Sequence, residues 1–202
     1  PYTDNCVREG TFKNAKGNLV KAEYMYSQET EYIETENATG FVKYYKGGKF
    51  AFVALLPNEG TSIDSYIASL TGKGFLSALN SRKNTQVNTQ MPKFKCEYSN
   101  SLVDTLKKMG MSTAFDRDRA NFSSMATLKN ENIYISDVIH KTFIEVAEKG
   151  TRAGAVTAVI KEASAAMPVE QPKEVRLTRP FVYAIIDTRT NLPLFIGAQT
   201  DI

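Results

Sequence analysis

Hydrophobic and polar positions alternate with a period of two through most of this chain, the signature of half-buried strands, and a helical spacing appears in only three short stretches. From Thr11 to Gln28 the alternation predicts a β-hairpin, with Asn14 to Asn18 supplying the turn. Phe41–Tyr45 and Phe50–Leu56 flank Lys46-Gly47-Gly48-Lys49, a second hairpin whose glycines tolerate positive φ. The second arm is an unbroken apolar run, so burial on both faces is expected until Pro57 ends the strand. Ser62–Leu70 is helical by spacing, with Ile63, Tyr66, Ile67 and Leu70 on one side and Thr61 or Ser62 as cap; a second short helix holds Phe75, Leu76 and Leu79.

Thr85–Lys95 reads as extended. Asn100 then caps a third helix with Leu102, Val103, Leu106 and Met109 inward and Gly110 as its stop. Asn132–Val146 returns to strand, followed further on by Val175–Leu177, Phe181–Asp187, a turn through Thr188 to Pro193, and Leu194–Ala198. The pattern predicts an α+β fold dominated by β structure, with no internal repeat and no domain linker.

One stretch departs from this pattern. After the β-branched and aromatic residues Ile139 to Val146, large apolar side chains stop at Glu148, and Gly150 to Ala158 are almost all small. The segment reads as an exposed linker. At period two, however, Thr151, Ala153, Ala155 and Thr157 form a uniformly small, uncharged face, with Arg152, Gly154 and Val156 opposite. Such a segment can be threaded between two strands of a sheet without displacing a packed core, leaving Arg152 in water.

The order of these features, from His140 through the small-residue run to Arg179–Asp187 and Pro193–Asp201, resembles the C-terminal part of a serpin. Met91-Pro92-Lys93-Phe94-Lys95, the helix ending at Met111, Ala120-Asn121-Phe122-Ser123-Ser124-Met125 and Ile135 to Lys141 carry the same resemblance, which spans essentially the whole chain. It implies a β-dominated serpin-like fold, with residues 1–202 forming the C-terminal part of a single domain, and makes the N-terminal half of the same protein a partner of this chain. It also implies a suicide-substrate inhibitor of serine proteases that acts outside the cell.

In that picture residues 150–169 are a reactive-centre loop. A protease cuts it, an acyl-enzyme forms, and the loop then inserts as a new strand; serpin loop insertion is itself an established instance of strand addition. About seventeen residues at about 3.3 Å each carry the protease roughly 55 Å. The hinge comprises Glu148, Gly150, Thr151, Arg152, Ala153, Gly154, Ala155, Val156, Thr157 and Ala158. Arg152 stands where the family usually has Glu and Val156 where it usually has Ala, both on the outward face. Counting forward from Glu148 places the cut at Ser164-Ala165; counting back from Arg179-Pro180 places it at Val169-Glu170. Between them, Ser164, Ala165, Ala166 and Met167 suit the shallow pocket of an elastase- or subtilisin-like enzyme. Pro168 disfavours a cut after Met167. The alternative is a non-inhibitory binding or chaperone protein of the same family.

Composition narrows the remaining chemistry. With 202 residues, 42% hydrophobic and 23% charged, the chain can bury a core, and its net charge of +3 is spread without a basic block, so neither nucleic acid nor a membrane is an expected partner. His140 is the sole histidine, which excludes a multi-histidine metal site and leaves any Ser/His/Asp system dependent on it. It reads as a buried mid-strand histidine, and the resemblance makes it part of the gate where the main sheet opens. The alternating acids Glu29, Glu31, Glu34 and Glu36 read as a solvated strand edge. No nucleotide-binding or nucleophile-elbow motif occurs, and no catalytic residue, metal or cofactor is expected. Cys6 and Cys96 read as free thiols in or near the core, a disulfide being the alternative. Asn37-Ala38-Thr39 and Asn121-Phe122-Ser123 match the glycosylation triplet, which matters only in a secreted eukaryotic protein.

Overall fold

The computed structural model describes residues 6–126, 128–129, 131–148 and 171–202. In chain order its elements are β1 (Val7–Lys13), β2 (Leu19–Glu34), β3 (Ala38–Tyr44), β4 (Phe50–Pro57), α1 (Ile63–Ser69), α2 (Gly72–Asn80), β5 (Lys83–Pro92), β6 (Phe94–Ser101), α3 (Val103–Leu106), β7 (Ile139–Val146), β8 (Lys173–Arg176), β9 (Phe181–Asp187) and β10 (Pro193–Gln199). Sheet predominates, as the period-two pattern requires. The chain divides into two compact units, residues 1–95 with 145–202 and residues 96–144.

The larger unit is built on a sheet in the order β10-β9-β4-β3-β2-β5-β8, with β1 also on β2. Neighbours are antiparallel except β5 and β8. β2 holds the arrangement together because its 16 residues contain neither Gly nor Pro. Its first part pairs with β1 and β5, and its last residues pair with β3 and, beyond a bulge, with the start of β5.

β4 is buried at every position after Phe50, as its apolar run demands. One face of the sheet presents Val42, Val53, Leu55, Val182 and Ile186 to Ile63 and Tyr66 of α1 and to Phe75 and Leu79 of α2. Ser62 and Thr71 cap those helices, their hydroxyls accepting from the Ser65 and Gly74 amides. Ile67 and Leu76, expected inward, are exposed, because each helix is too short to bury more than one narrow stripe. Gly40 admits the close approach of β3 and β4: a Cβ there would lie 2.2 Å from the Ala54 carbonyl oxygen.

Of the four alternating acids Glu34 and Glu36 are exposed as expected, whereas Glu29 and Glu31 depart from the expectation of a solvated edge. β2 lies inside the sheet, and its half-buried carboxylates are paired. Glu29 accepts from Lys43 Nζ at 2.5 Å and from Ser27, and Glu31 accepts from the Tyr44 hydroxyl at 2.9 Å with Arg82 at 3.4 Å. Charge supplied by neighbouring elements makes acidic residues tolerable inside the sheet.

In the smaller unit β6 pairs with β7 as a two-stranded sheet. The predicted third helix is shorter than expected. α3 covers Val103–Leu106, a wider turn follows over Lys107–Met111, and Gly110 takes φ 102° before a tight turn at Ser112–Phe115. Asn100 does not cap it, since its amide goes to the Tyr98 hydroxyl, and the residue at the start of the helix, Leu102, leaves it without a side-chain cap. Met109, expected inward, is 75% exposed. The strand predicted from Asn132 begins only at Ile139. Residues before it are held by side-chain bonds such as Asn132 Nδ2 to the Arg117 and Ala120 carbonyls. Cys6 and Cys96 are both partly buried, in or near the core as read from the sequence.

Candidate functional site at the base of the hinge

Lys93 alone connects β5 to β6, and the aromatic residue next in the chain fixes its position. Phe94 is buried against Phe181 edge-on at 5.8 Å and against Tyr183 at 5.2 Å; Tyr183 in turn stacks on Phe52 at 6.2 Å. Met91, two residues before Lys93, is buried as well, so Lys93 is flanked in the chain by buried apolar residues. Its amide also donates to the Glu23 carbonyl at 2.8 Å.

From this fixed point the Lys93 ammonium reaches two carboxylates, Glu148 Oε2 at 2.9 Å and Glu23 Oε2 at 3.3 Å. The hydrogen bond to Glu148 above all, with the one to Glu23, holds the Lys93 pKa above its ordinary value despite partial desolvation. Glu148 closes the chain segment leaving β7, whose Ile144 and Val146 are buried, while Glu145 pairs outward with Lys95 at 3.1 Å. The end of β7 is therefore fastened by apolar burial on one side and by two ion pairs on the other. The described chain stops at this fastening and resumes at Gln171, just before β8.

Of the site residues expected from the sequence, Glu148 is in this clamp. Gly150, Thr151, Arg152, Ala153, Gly154, Ala155, Val156, Thr157, Ala158, Ser164, Ala165, Ala166 and Met167 lie outside the described residues. His140 is on β7 as expected but exposed, because β7 is paired with β6 alone among the described strands. The hydroxyl of Ser101 donates directly to Asp137 Oδ1 at 2.5 Å, so this serine is tied to a carboxylate without an intervening imidazole. Among the described residues no group of three or more His, Cys, Asp or Glu is placed to hold a metal, and no helix is long and apolar enough to cross a membrane. Lys93 and Glu23 are the site residues that the sequence left without a role. Lys93 sits in the Met91–Lys95 motif, but nothing in that motif names Glu148 as its partner.

The comparisons with known proteins agree with one another. The family model for Serpin (serine protease inhibitor) matches residues 1–202. An uncharacterized serpin-like protein of Thermococcus kodakarensis is 33% identical over 191 residues, covering 95% of this chain and 44% of that protein. Human Serpin B8 is 34% identical over 190 residues, 92% of this chain and 46% of its own length. Among solved structures, the thermophilic serpin tengpin in its native state superposes with a TM-score of 0.86 at 46% identity, covering all of this chain and 51% of tengpin. The chain thus spans about half the length of the relatives it matches.

Proposed function

The chain belongs to the serpin family of serine protease inhibitors, and on that premise we propose that it is the loop-bearing half of an inhibitory suicide substrate. The observation that carries this reading is the connection made by residues 147–172. They join β7 of the two-stranded sheet to β8 of the larger sheet, and their hinge presents a uniformly small face at period two. A connection between two sheets has somewhere to insert, and small inward side chains let it do so.

In this reading a serine hydroxyl of the protease attacks a bond within Ser164 to Met167, the new amino end departs, and the acyl-enzyme is carried off as residues 150–158 enter the sheet beside β7. His140, on the exposed part of β7, belongs to the gate that parts to admit them. Small residues at the cut favour an elastase- or subtilisin-like enzyme acting outside the cell. The N-terminal half of the same protein completes the sheet against β7, where Ile139 and Phe143 are exposed.

The test is to mix the full-length protein with elastase and with subtilisin and look for an SDS-resistant adduct. An adduct is the expected result. Loop cleavage that yields free, active protease would assign the protein to the non-inhibitory members of its family.

A further inference from the structure

We propose that Asn121 is an acceptor for an N-linked glycan in the folded protein, transferred from an oligosaccharide carried on a polyprenyl diphosphate. Such a triplet is used on secreted chains, so the proposal rests on the extracellular part of the reading above. Asn121-Phe122-Ser123 and Asn37-Ala38-Thr39 carry the same signal, and the fold treats them in opposite ways.

Asn121 and Ser123 are exposed, and their triplet lies outside helix and strand. Asn121 Oδ1 accepts from the Ser123 amide at 3.1 Å and from the Ser123 hydroxyl at 2.7 Å. A backbone N–H can only donate, so the atom it meets is the amide oxygen, and Nδ2 is left outside the turn. Both sides of the turn are anchored. Ala120 is buried, its amide donates to the Asp116 carbonyl at 2.9 Å, and its own carbonyl accepts from Asn132 Nδ2 at 2.8 Å. The Phe122 carbonyl accepts from the Met125 amide at 2.9 Å. Asn121 is thus presented by a closed local turn with a fixed base.

Asn37 is also exposed, but its triplet runs into β3. Ala38 is buried, its amide donates to Thr35 Oγ1 at 3.0 Å, and Thr39 is registered between Glu34 of β2 and Leu56 of β4. Turning the Thr39 hydroxyl back onto Asn37 would break that ladder, at about 1 kcal/mol for each hydrogen bond lost, and expose Ala38. Of the two triplets, only that of Asn121 offers its side chain without unfolding.

Transfer joins Asn121 Nδ2 to the anomeric carbon of the first sugar as the bond from that carbon to the diphosphate oxygen breaks. The diphosphate leaves with the electron pair, and Nδ2 gives up one proton to a base of the transferase. Ser123 is a positioning residue here, since it holds the amide and makes no bond to the sugar.

The experiment incubates the folded full-length protein, made without glycan, with a purified oligosaccharyltransferase and its lipid-linked oligosaccharide, and then weighs the tryptic peptides. Peptide 120–129 is expected to gain the mass of one glycan and peptide 22–43, which contains Asn37, to gain none, although both accept it as free peptides. Asn121→Gln and Ser123→Ala are expected to lose the gain, and Ser123→Thr, which keeps the hydroxyl, to retain it. Transfer to peptide 120–129 only when it is free overturns the proposal. So does transfer to Asn37 of the folded protein in place of Asn121, or undiminished transfer to Ser123→Ala. No protease enters this assay, so its failure is distinct from failure to form the SDS-resistant adduct.

Discussion

Lys93 Nζ lies 2.9 Å from Glu148 Oε2, and that contact fastens the first residue of the hinge to the connection between β5 and β6. The residues are 55 positions apart in the chain (148 − 93). Neither is deeply buried, their side chains being 23% and 30% exposed, so the pair contributes modestly to stability while deciding where the loop leaves the fold.

Removing the clamp is the first prediction. In the full-length protein Lys93→Ala or Glu148→Ala should cost about 0.5–1 kcal/mol. Glu148→Lys should cost more, because it sets two ammonium groups side by side. Restoring opposite charges in Lys93→Glu with Glu148→Lys should recover part of the loss. Thermal denaturation of the four variants reads this out, and an unchanged midpoint for Glu148→Lys contradicts it.

Alkaline pH should weaken the same clamp. The folded-state pKa of Lys93 is raised above the ordinary lysine value of about 10.4, so its contribution is fully present below that value and disappears as pH rises through the folded pKa. The stability difference between wild type and Lys93→Met should therefore shrink above about pH 10.4 and stay constant from there down to neutral pH. Urea unfolding at several pH values measures it.

Tyr24 adds a separate alkaline liability. Burial, helped by the neighbouring Tyr26, pushes its hydroxyl up to about 12, and that hydroxyl donates to the Thr11 carbonyl at 2.9 Å. The unfolded chain ionises near pH 10 while the folded one stays neutral, so stability is lost from about pH 10 upward until the folded group also ionises. Tyr24→Phe should cost about 1 kcal/mol at pH 7 through the lost hydrogen bond. It should also abolish that part of the alkaline loss, as denaturant midpoints at pH 7 and pH 11 would reveal.

Phe94 should prove coupled to the clamp. Phe94→Ala empties an aromatic cluster and is expected to cost about 3–5 kcal/mol. The backbone it releases is the one that positions Lys93, so Lys93→Ala should have a smaller effect in that background than alone. A double-mutant cycle tests this, and strict additivity would falsify it.

Gly40→Ala should be among the more damaging small changes in the sheet. Its Cβ would meet the Ala54 carbonyl oxygen, a backbone atom that cannot swing aside, so β3 and β4 must separate at a cost of about 1–3 kcal/mol. The control is Gly47→Ala, which meets nothing within 4 Å and is strained only by its positive φ. Comparing the two melting temperatures separates crowding from backbone strain.

Cleavage chemistry supplies the last prediction. Brief elastase treatment of the full-length protein should release a C-terminal peptide beginning within residues 165–167, identified by its mass. A cut confined to Lys161, or none, defeats the assignment of Ser164 to Met167.

Local pattern made much of this fold legible. The apolar run of β4 announced burial on both faces, Lys46-Gly47-Gly48-Lys49 announced its turn, and Thr61-Ser62 announced the start of α1, the structure choosing Ser62 as the cap. Three readings failed because a non-local term outweighed local preference. Glu29 and Glu31 of β2 are paired with Lys43 and Arg82, Asn100 is drawn to Tyr98 and leaves α3 without a side-chain cap, and His140 is exposed on a strand whose pattern predicts burial.

The amino-acid order by itself determined the β-dominated architecture, the resemblance to serpins and the small face of residues 151–157, because strand period, turn chemistry and side-chain size are properties of neighbours in the chain. Only the tertiary structure decided that Lys93 grips Glu148 and that Lys43 and Arg82 meet Glu29 and Glu31. Those relationships join residues far apart in sequence, and strand register, which brings them together, is set by packing of the whole sheet.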